Sequence, residues 1–308
     1  MIEKIITHPG ILHADDATAT EIVRMAFSSY NIPIERKNPT QEELDSPNVI
    51  VLDVGGQYCP SKYNFDHHQW RWKKGEGKFH ANGVPMATAG LAWKYFGYAV
   101  IEALKPGSFC SGIADRVEEQ MMAAIDAADC GAGSGINTSM PSFSFSKMIA
   151  GLNPAHTGAS EGDFDDAFKT ARRIANTVIT SQIVQAKAWA DAKEIVCGCP
   201  YDLAEDGKIL VLDQYVPWED HIYSREGQEK ILFVVFPSIR GGWNAQQVPV
   251  TAGSFEGRKS FPKEWWGLRD EEFQAHVNGG TFCHNTGFIA GAKTCAATIS
   301  MAIEAARL

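Results

Sequence analysis

The stretch NVIVLDVGG, residues 48–56, decides the fold. Residues 48–52 form a continuous apolar run without polar alternation, the pattern of a strand buried on both faces of a parallel sheet. Asp53 follows at once, and two glycines close the segment. In open α/β sheets, sites form just outside the carboxyl ends of the strands, which is where this aspartate falls.

Working outward, Ile2–Thr7 reads as a first strand and Ile32–Arg36 as another. Between them, from Asp15 to about Tyr30, the apolar residues Ala19, Ile22, Val23 and Ala26 recur at helical spacing. Residues 86–96 and 115–129 predict helices, the second stopped by Gly131 at a C-cap position. Strands alternating with helices predict an α/β fold with a parallel sheet. Beyond residue 130 come the loop-rich GAGSGINTSMPSFS and LNPAHTGASEGD, then a helical pattern over about 163–195. Strand candidates follow at 208–213 and 231–236, then polar-alternating segments at 243–251.

The chain has 308 residues, which exceeds most single hydrophobic cores. The expected division falls near residue 195, giving a unit over 1–195 that ends in the long connector helix and a smaller α/β unit over 196–308. The formal charge of −9 rules out an overall basic field for holding nucleic acid, so an anionic substrate needs a local positive site. Seven irregularly spaced cysteines fit a reducing compartment better than a disulfide framework. With no signal-peptide pattern and no run of roughly 20 apolar residues, the sequence predicts a cytoplasmic protein away from membranes, and an oligomer is compatible with it.

Three strand ends each deliver groups that bind metals. THPGILHADD (7–16) supplies His8, His13, Asp15 and Asp16; the apolar run ends in Asp53; YNFDHHQW (63–70) supplies Asp66, His67 and His68. A fourth contribution comes from MMAAIDAADCG (121–131), where Asp126 and Asp129 share one helix face. An acidic residue near a helix C-terminus is unfavourable unless a cation is close. Taken singly, each group has an ordinary explanation as a surface histidine, turn aspartate or solvated face; their repetition at strand ends is what points to metal. Mixed His and Asp ligation suits manganese, iron, cobalt or zinc better than calcium. Two cations roughly 3.5–4 Å apart can clamp a phosphoryl group and acidify a bound water.

At these residues the chain resembles the DHH phosphoesterase superfamily, whose name matches Asp66-His67-His68. The superfamily's first motif is His-x3-Asp-x-Asp; here it stands as His8-x4-His13-x-Asp15. That departure resembles the Myg-one (melanocyte proliferating gene one) branch, once labelled metal-dependent protein hydrolases. DVGGQY, IDAADCG, QQVPV, SFEGRKSFPKEWWGLRDEEF and FCHNTGFIAGAKT extend the likeness over nearly the whole chain, with Cys130 where the branch usually has asparagine.

The resemblance implies a DHH-type first domain that holds the metals and a second domain that grips substrate. It implies His8, His13, Asp15, Asp53 and His67 as ligands, with Asp53 bridging, and Asp126 preferred over Asp129 as the fourth-motif ligand. Asp66 would orient a neighbour or ligate, and His68 would face substrate. The implied cofactors are two divalent ions, manganese first, with magnesium, cobalt, iron or zinc as alternatives. In GGTFCHNTG (279–287), Gly279, Gly280 and Gly287 could form an amide nest for an anion, and His284 could donate to phosphate. Arg258 and Lys259 could grip phosphate too, whereas Trp265 and Trp266 read as packing. WRWKK (70–74) could stack on and neutralise a single strand, and CGAGSG (130–135) is only a weak phosphate loop, lacking the Lys-Ser/Thr of a P-loop.

The function expected is hydrolysis of phosphodiester bonds by a dinuclear metal enzyme, a 3′–5′ exonuclease on RNA or short oligonucleotides. The alternatives are a pyrophosphatase or phosphomonoesterase, or a metal-stabilised binding protein without turnover. No HExxH helix supports the protein-hydrolase label.

Overall fold

The computed structural model describes residues 2–108, 111–133, 143–199 and 207–308. Its chain divides into two compact units, Met1–Lys187 and Ala188–Leu308. The first unit opens with β1 (Lys4–Thr7), α1 (Ala14–Ala26), β2 (Ile34–Arg36), α2 (Gln41–Asp45) and β3 (Val49–Leu52). Two short strands follow, β4 (Tyr58–Cys59) and β5 (Asn64–Phe65), and the sheet order is β2-β1-β3-β5-β4. β1, β2, β3 and β5 are parallel, and only β4 runs against its neighbour. The apolar run that predicts the central strand is β3, whose four residues are all buried. Removing Ile50 or Leu52 from water contributes about 1.5–3 kcal/mol each relative to exposure.

Three parallel strands therefore end on the same edge, at Thr7, Leu52 and Phe65. α3 (Thr88–Leu104) starts later than expected and runs longer. The predicted helix over 115–129 is observed as α4 (Ser111–Val117), a π-helical turn at Glu118–Met122, and α5 (Ala123–Asp129). Gly131 follows α5 in a left-handed conformation (φ 65°), and the Ala132 amide reaches back to the Ala127 carbonyl at 2.9 Å. That bond satisfies one of the end carbonyls a helix leaves open. α6 (Phe145–Ala150) comes next, then α7 (Glu161–Gly198), the long helix expected from the sequence. Part of the glycine-rich stretch, residues 134–142, lies outside the described residues, and with it the end of CGAGSG.

The second unit has a sheet ordered β6-β7-β8-β10-β9, built from β6 (Ile209–Val211), β7 (Phe233–Pro237), β8 (Trp243–Gln247), β9 (Gly280–Cys283) and β10 (Ile289–Ala292). Only β6 and β7 are parallel; the other pairings are antiparallel. α8 (Asp270–Gln274) and α9 (Cys295–Arg307) complete it. Trp265 is 2% exposed and packs with Phe261 and Phe273, as its reading as a packing residue predicts.

Candidate metal centre

DVGG makes the turn that places Asp53. The Asp53 backbone is left-handed (φ 59°), a conformation aspartate tolerates better than most residues. At Gly55, a Cβ would lie 2.9 Å from Leu44 Cδ2, and the Gly56 amide donates to Asp66 Oδ2 at 2.6 Å. The turn thus aims Asp53 inward and fastens Asp66 at the same time.

Asp53 is 2% exposed, and its two oxygens face different partners. Oδ2 lies 3.4 Å from His8 Nε2, while Oδ1 lies 3.3 Å from His67 Nε2. His67 Nε2 is also 3.1 Å from Asp129 Oδ2, and His13 Nδ1 is 3.9 Å from Asp129 Oδ1. Donor atoms of His8, His13 and Asp53 fall within 4.8 Å of one another, as do those of Asp53, His67 and His68, and those of His67, Asp129 and Cys130. These sets overlap, sharing Asp53 on one side and His67 on the other.

The fit to metal ions rests on two atoms. His8 Nε2 and His67 Nε2 are buried and make no directed hydrogen bond, although carboxylates stand beside both. A buried polar atom without a partner costs about 1–3 kcal/mol. Imidazole nitrogens and carboxylate oxygens converging without hydrogen-bond geometry are the donor set of a divalent-ion site.

The charges agree. Burial lowers the His8 imidazole, but Asp16 and then Asp53 more than reverse this and raise it to about 9. Burial likewise lowers His67, and Asp129 and Asp53 drive it far above the usual imidazole range. Burial, then the charges of Asp53 and Asp129, push Asp15 well above a normal carboxyl. So many carboxylates in one dry place need positive charge, from protons or from cations.

Asp15 has a second task. The N-cap of α3 is Ala87, which offers no capping side chain. Its first free amides are taken from outside: Thr88 N donates to Asp15 Oδ2 at 3.1 Å, Ala89 N to Asp15 Oδ1 at 2.6 Å, and Gly90 N to Asp126 Oδ1 at 3.1 Å. The Thr88 hydroxyl donates to Asp53 Oδ1 at 3.2 Å. A helix N-terminus favours negative charge, so α3 holds three of the acids in place. A carboxylate has about four lone-pair sites, which leaves Asp15 able to ligate as well.

The preference for Asp126 over Asp129 is corrected by this geometry. Asp126 is fully buried, and its oxygens are spent on the Gly90 amide and on His80 Nε2 at 2.8 Å. Asp129, three residues on, faces His67 and His13. Asp66, expected either to orient a neighbour or to ligate, has both oxygens engaged by neighbours. Its Oδ1 accepts the His68 amide at 3.0 Å and pairs with His68 Nδ1 at 2.8 Å, while Oδ2 takes the Gly56 amide. His68 is 61% exposed in its side chain and lines a cavity of about 470 Å³ with His8, His13 and Asp53.

Two participants, Thr88 and His80, escaped sequence reasoning, and a third, Asp16, was named with the first strand end but given no role. Asp16 is fully buried, caps the His13 amide at 2.9 Å and stands 3.1 Å from His8 Nε2. Thr88 heads a helix with no capping residue, and that missing cap was the available signal. His80 had none: it stands alone in sequence, yet its ring bridges Glu118 Oε1 (2.9 Å, from Nδ1) and Asp126 Oδ2.

Burial lowers His80, and Asp126 and Glu118 outweigh it, so its value rises to about 9. A raised imidazole stabilises the fold fully below pH 6.5, and this is lost as pH rises through 9. His80→Gln is expected to flatten that alkaline decline in urea unfolding, which is worth about 3 kcal/mol at most in the parent. Parallel pH profiles for the two proteins would contradict it.

In the second unit, Arg258 does not stand ready for phosphate. Its guanidinium donates to the Ile231 carbonyl at 3.1 Å and to both the carbonyl and the side chain of Gln228. The nest reading of Gly280 and Gly287 is also corrected, because their amides close turns onto Val277 and His284 carbonyls at 2.9 Å each. Their smallness serves packing: a Cβ would lie 2.6 Å from Phe273 Cδ1 at Gly280 and 2.0 Å from Trp266 Nε1 at Gly287. Gly279 is left-handed (φ 75°), and its carbonyl accepts from Lys293. His284 Nδ1 accepts the Thr286 amide at 3.3 Å, and Lys259 makes no hydrogen bond or ion pair with a described residue.

Fold and site together define a two-unit α/β protein with a His/Asp cluster at the carboxyl edge of a parallel sheet. Residues 4–306 match the family model MYG1_exonuc, described as an uncharacterised protein family, UPF0160. The chain belongs to this family. The MYG1 protein YER156C of Saccharomyces cerevisiae is 31% identical over 327 residues, covering 98% of this chain and 95% of the relative. The MYG1 exonuclease of Homo sapiens is 28% identical over 321 residues, covering 97% and 84%. Among solved structures, RecJ of Thermus thermophilus in complex with Mg2+ aligns at 12% identity and a TM-score of 0.25, over 99% of this chain and 50% of that one.

Proposed function

We propose that this chain is a dinuclear, divalent-metal phosphoesterase that cleaves phosphodiester bonds from the 3′ end of RNA or short oligonucleotides. The observation that carries this reading is Asp53, whose two buried oxygens each face a different histidine. His8, His13 and Asp53 would hold one ion; Asp15, Asp53, His67 and Asp129 would hold the other, with manganese the expected metal. Bound there, two such ions supply Lewis acidity toward a phosphoryl group and lower the pKa of water.

The chain's own residues do the rest. Asp66 fixes the His68 ring through Nδ1, which leaves Nε2 as the nitrogen free to exchange a proton with the leaving oxygen. The α3 amides hold Asp15 and Asp126 without needing water to move during reaction. The exonuclease name of the human relative supports the nucleic-acid class of substrate. Six described cysteines are unpaired, which supports a reducing, cytoplasmic setting. No described helix is long and apolar enough to cross a membrane.

The test is metal analysis of the purified protein, followed by hydrolysis of labelled RNA and DNA oligomers and pyrophosphate with manganese added. His67→Ala should lose both bound metal and turnover. A metal-loaded protein inert toward phosphodiesters, short RNA and pyrophosphate alike would overturn the reading. Faster turnover of pyrophosphate than of a dinucleotide would replace it with a pyrophosphatase.

A further inference from the structure

Directly after the histidine pair, residues 70–78 fold into a tight basic finger. The Trp70 amide donates to the His67 carbonyl at 3.1 Å, so the finger begins one turn from the cluster. Trp70 anchors its base, with its ring 5.3 Å from Tyr58 at 63°. Gly77 has φ 107°, and a Cβ there would lie 3.0 Å from the Trp70 ring. Only glycine lets the returning strand lie that close in that conformation. Glu76 locks the tip by accepting from Arg71 Nε at 3.1 Å, Arg71 Nη2 at 2.6 Å and the Arg71 amide at 3.1 Å.

What the finger presents is unusual for this chain. Arg71, Lys73, Lys74 and Lys78 are all exposed and face one local carboxylate, Glu76, in a protein whose formal charge is −9. Lys73 Nζ stands 5.3 Å from the Trp72 ring centroid, while Lys74 and Lys78 have no ion-pair partner among the described residues. Four cations held together on one finger repel one another and lower stability unless something anionic meets them. The Trp72 ring beside them adds a flat apolar face.

The geometry points to this finger as a strand-binding subsite: it takes the phosphates of a single-stranded nucleic acid next to the scissile one, with a base against Trp72. The inference rests on the phosphoesterase reading for its choice of substrate. Aromatic and basic residues interleaved on one element suit a single strand, because stacking is indifferent to sequence and the cations follow the backbone. Lys73, Lys74 and Lys78 supply the charge, while Arg71 serves mainly to hold the tip closed. A double helix buries its bases and cannot use Trp72.

The experiment is fluorescence anisotropy with a labelled, uncleavable phosphorothioate oligouridylate of about ten nucleotides, measured over a series of salt concentrations. Single strands give a slope of about −0.7 per neutralised phosphate in log affinity against log salt. The combined Lys73→Gln, Lys74→Gln, Lys78→Gln protein should therefore show a slope shallower by about 2. Trp72→Ala should weaken the single strand about tenfold or more and leave a blunt duplex unaffected. A control with Lys105→Gln, Lys193→Gln and Lys230→Gln removes equal charge elsewhere and should keep the parent slope. An unchanged slope in the first triple variant, or an equal loss in the control, would overturn the proposal. Because the probe is never cleaved, a protein inert toward every phosphodiester would refute the reaction while this measurement still judged the finger.

Discussion

Replacing Asp53 by Asn is expected to leave a folded protein that retains at most one divalent ion and turns over phosphodiesters on the order of 10³-fold more slowly. Asparagine adopts the left-handed backbone as readily as aspartate, so the φ of 59° survives. It also keeps an acceptor for the Thr88 hydroxyl. What it removes is one negative charge and one of the two anionic oxygens that face His8 and His67. Metal counting by mass spectrometry and turnover of a labelled RNA would report the two losses separately. Retention of both ions at parent stoichiometry would show that Asp53 does not bridge them. By contrast, alanine at this position would lose the Thr88 bond and the backbone preference together, and would confuse site with fold.

The second large effect is expected at Gly90, for stability before chemistry. A Cβ there would stand 1.9 Å from Asp126 Oδ2 and 3.0 Å from His80 Nε2. Neither neighbour can yield cheaply, since Asp126 and His80 are both buried and bonded to each other. Overpacking costs about 1–3 kcal/mol, and breaking a buried charge pair about 3–5 kcal/mol. Gly90→Ala should therefore lower the denaturant midpoint by an amount matching several kcal/mol, or prevent folding at 37 °C. A milder second variant is Asp126→Asn, which keeps the shape and should cost less. If Gly90→Ala melted like the parent, the packing of α3 against α5 would be far looser than these distances describe.

The sequence was most legible where period and chemistry coincided. NVIVL announced β3 because four buried apolar residues leave no other reading, and the strand ends at Thr7, Leu52 and Phe65 followed from it. The convergence of His8, His13, Asp53 and His67 was foreseeable, since parallel strands deliver their ends to one edge. Choosing between Asp126 and Asp129 was not. Both lie on one face of α5, and the choice depends on His80, which reaches Asp126 from a loop 46 positions away in sequence. Nor could residue type reveal that Gly280 and Gly287 serve Phe273 and Trp266, because a glycine for an anion and a glycine for a ring look alike in one sequence. Arg258 misled for a similar reason: its partners are mainly backbone carbonyls, which any sequence possesses.

The π-helical turn at Glu118–Met122 has a consequence of its own. A widened turn accommodates one more residue than an α-helix would and shifts the angular phase of everything beyond it. Residues 111–117 therefore face their neighbours in one phase, and residues 123–129, with both aspartates, in another. Glu118 sits on the seam, reaching His80. Tightening the seam into regular α-helix with no residue removed would rotate Asp126 and Asp129 by about a quarter of a circle away from their histidines, so this short irregularity sets the aim of the acids as surely as the side chains themselves.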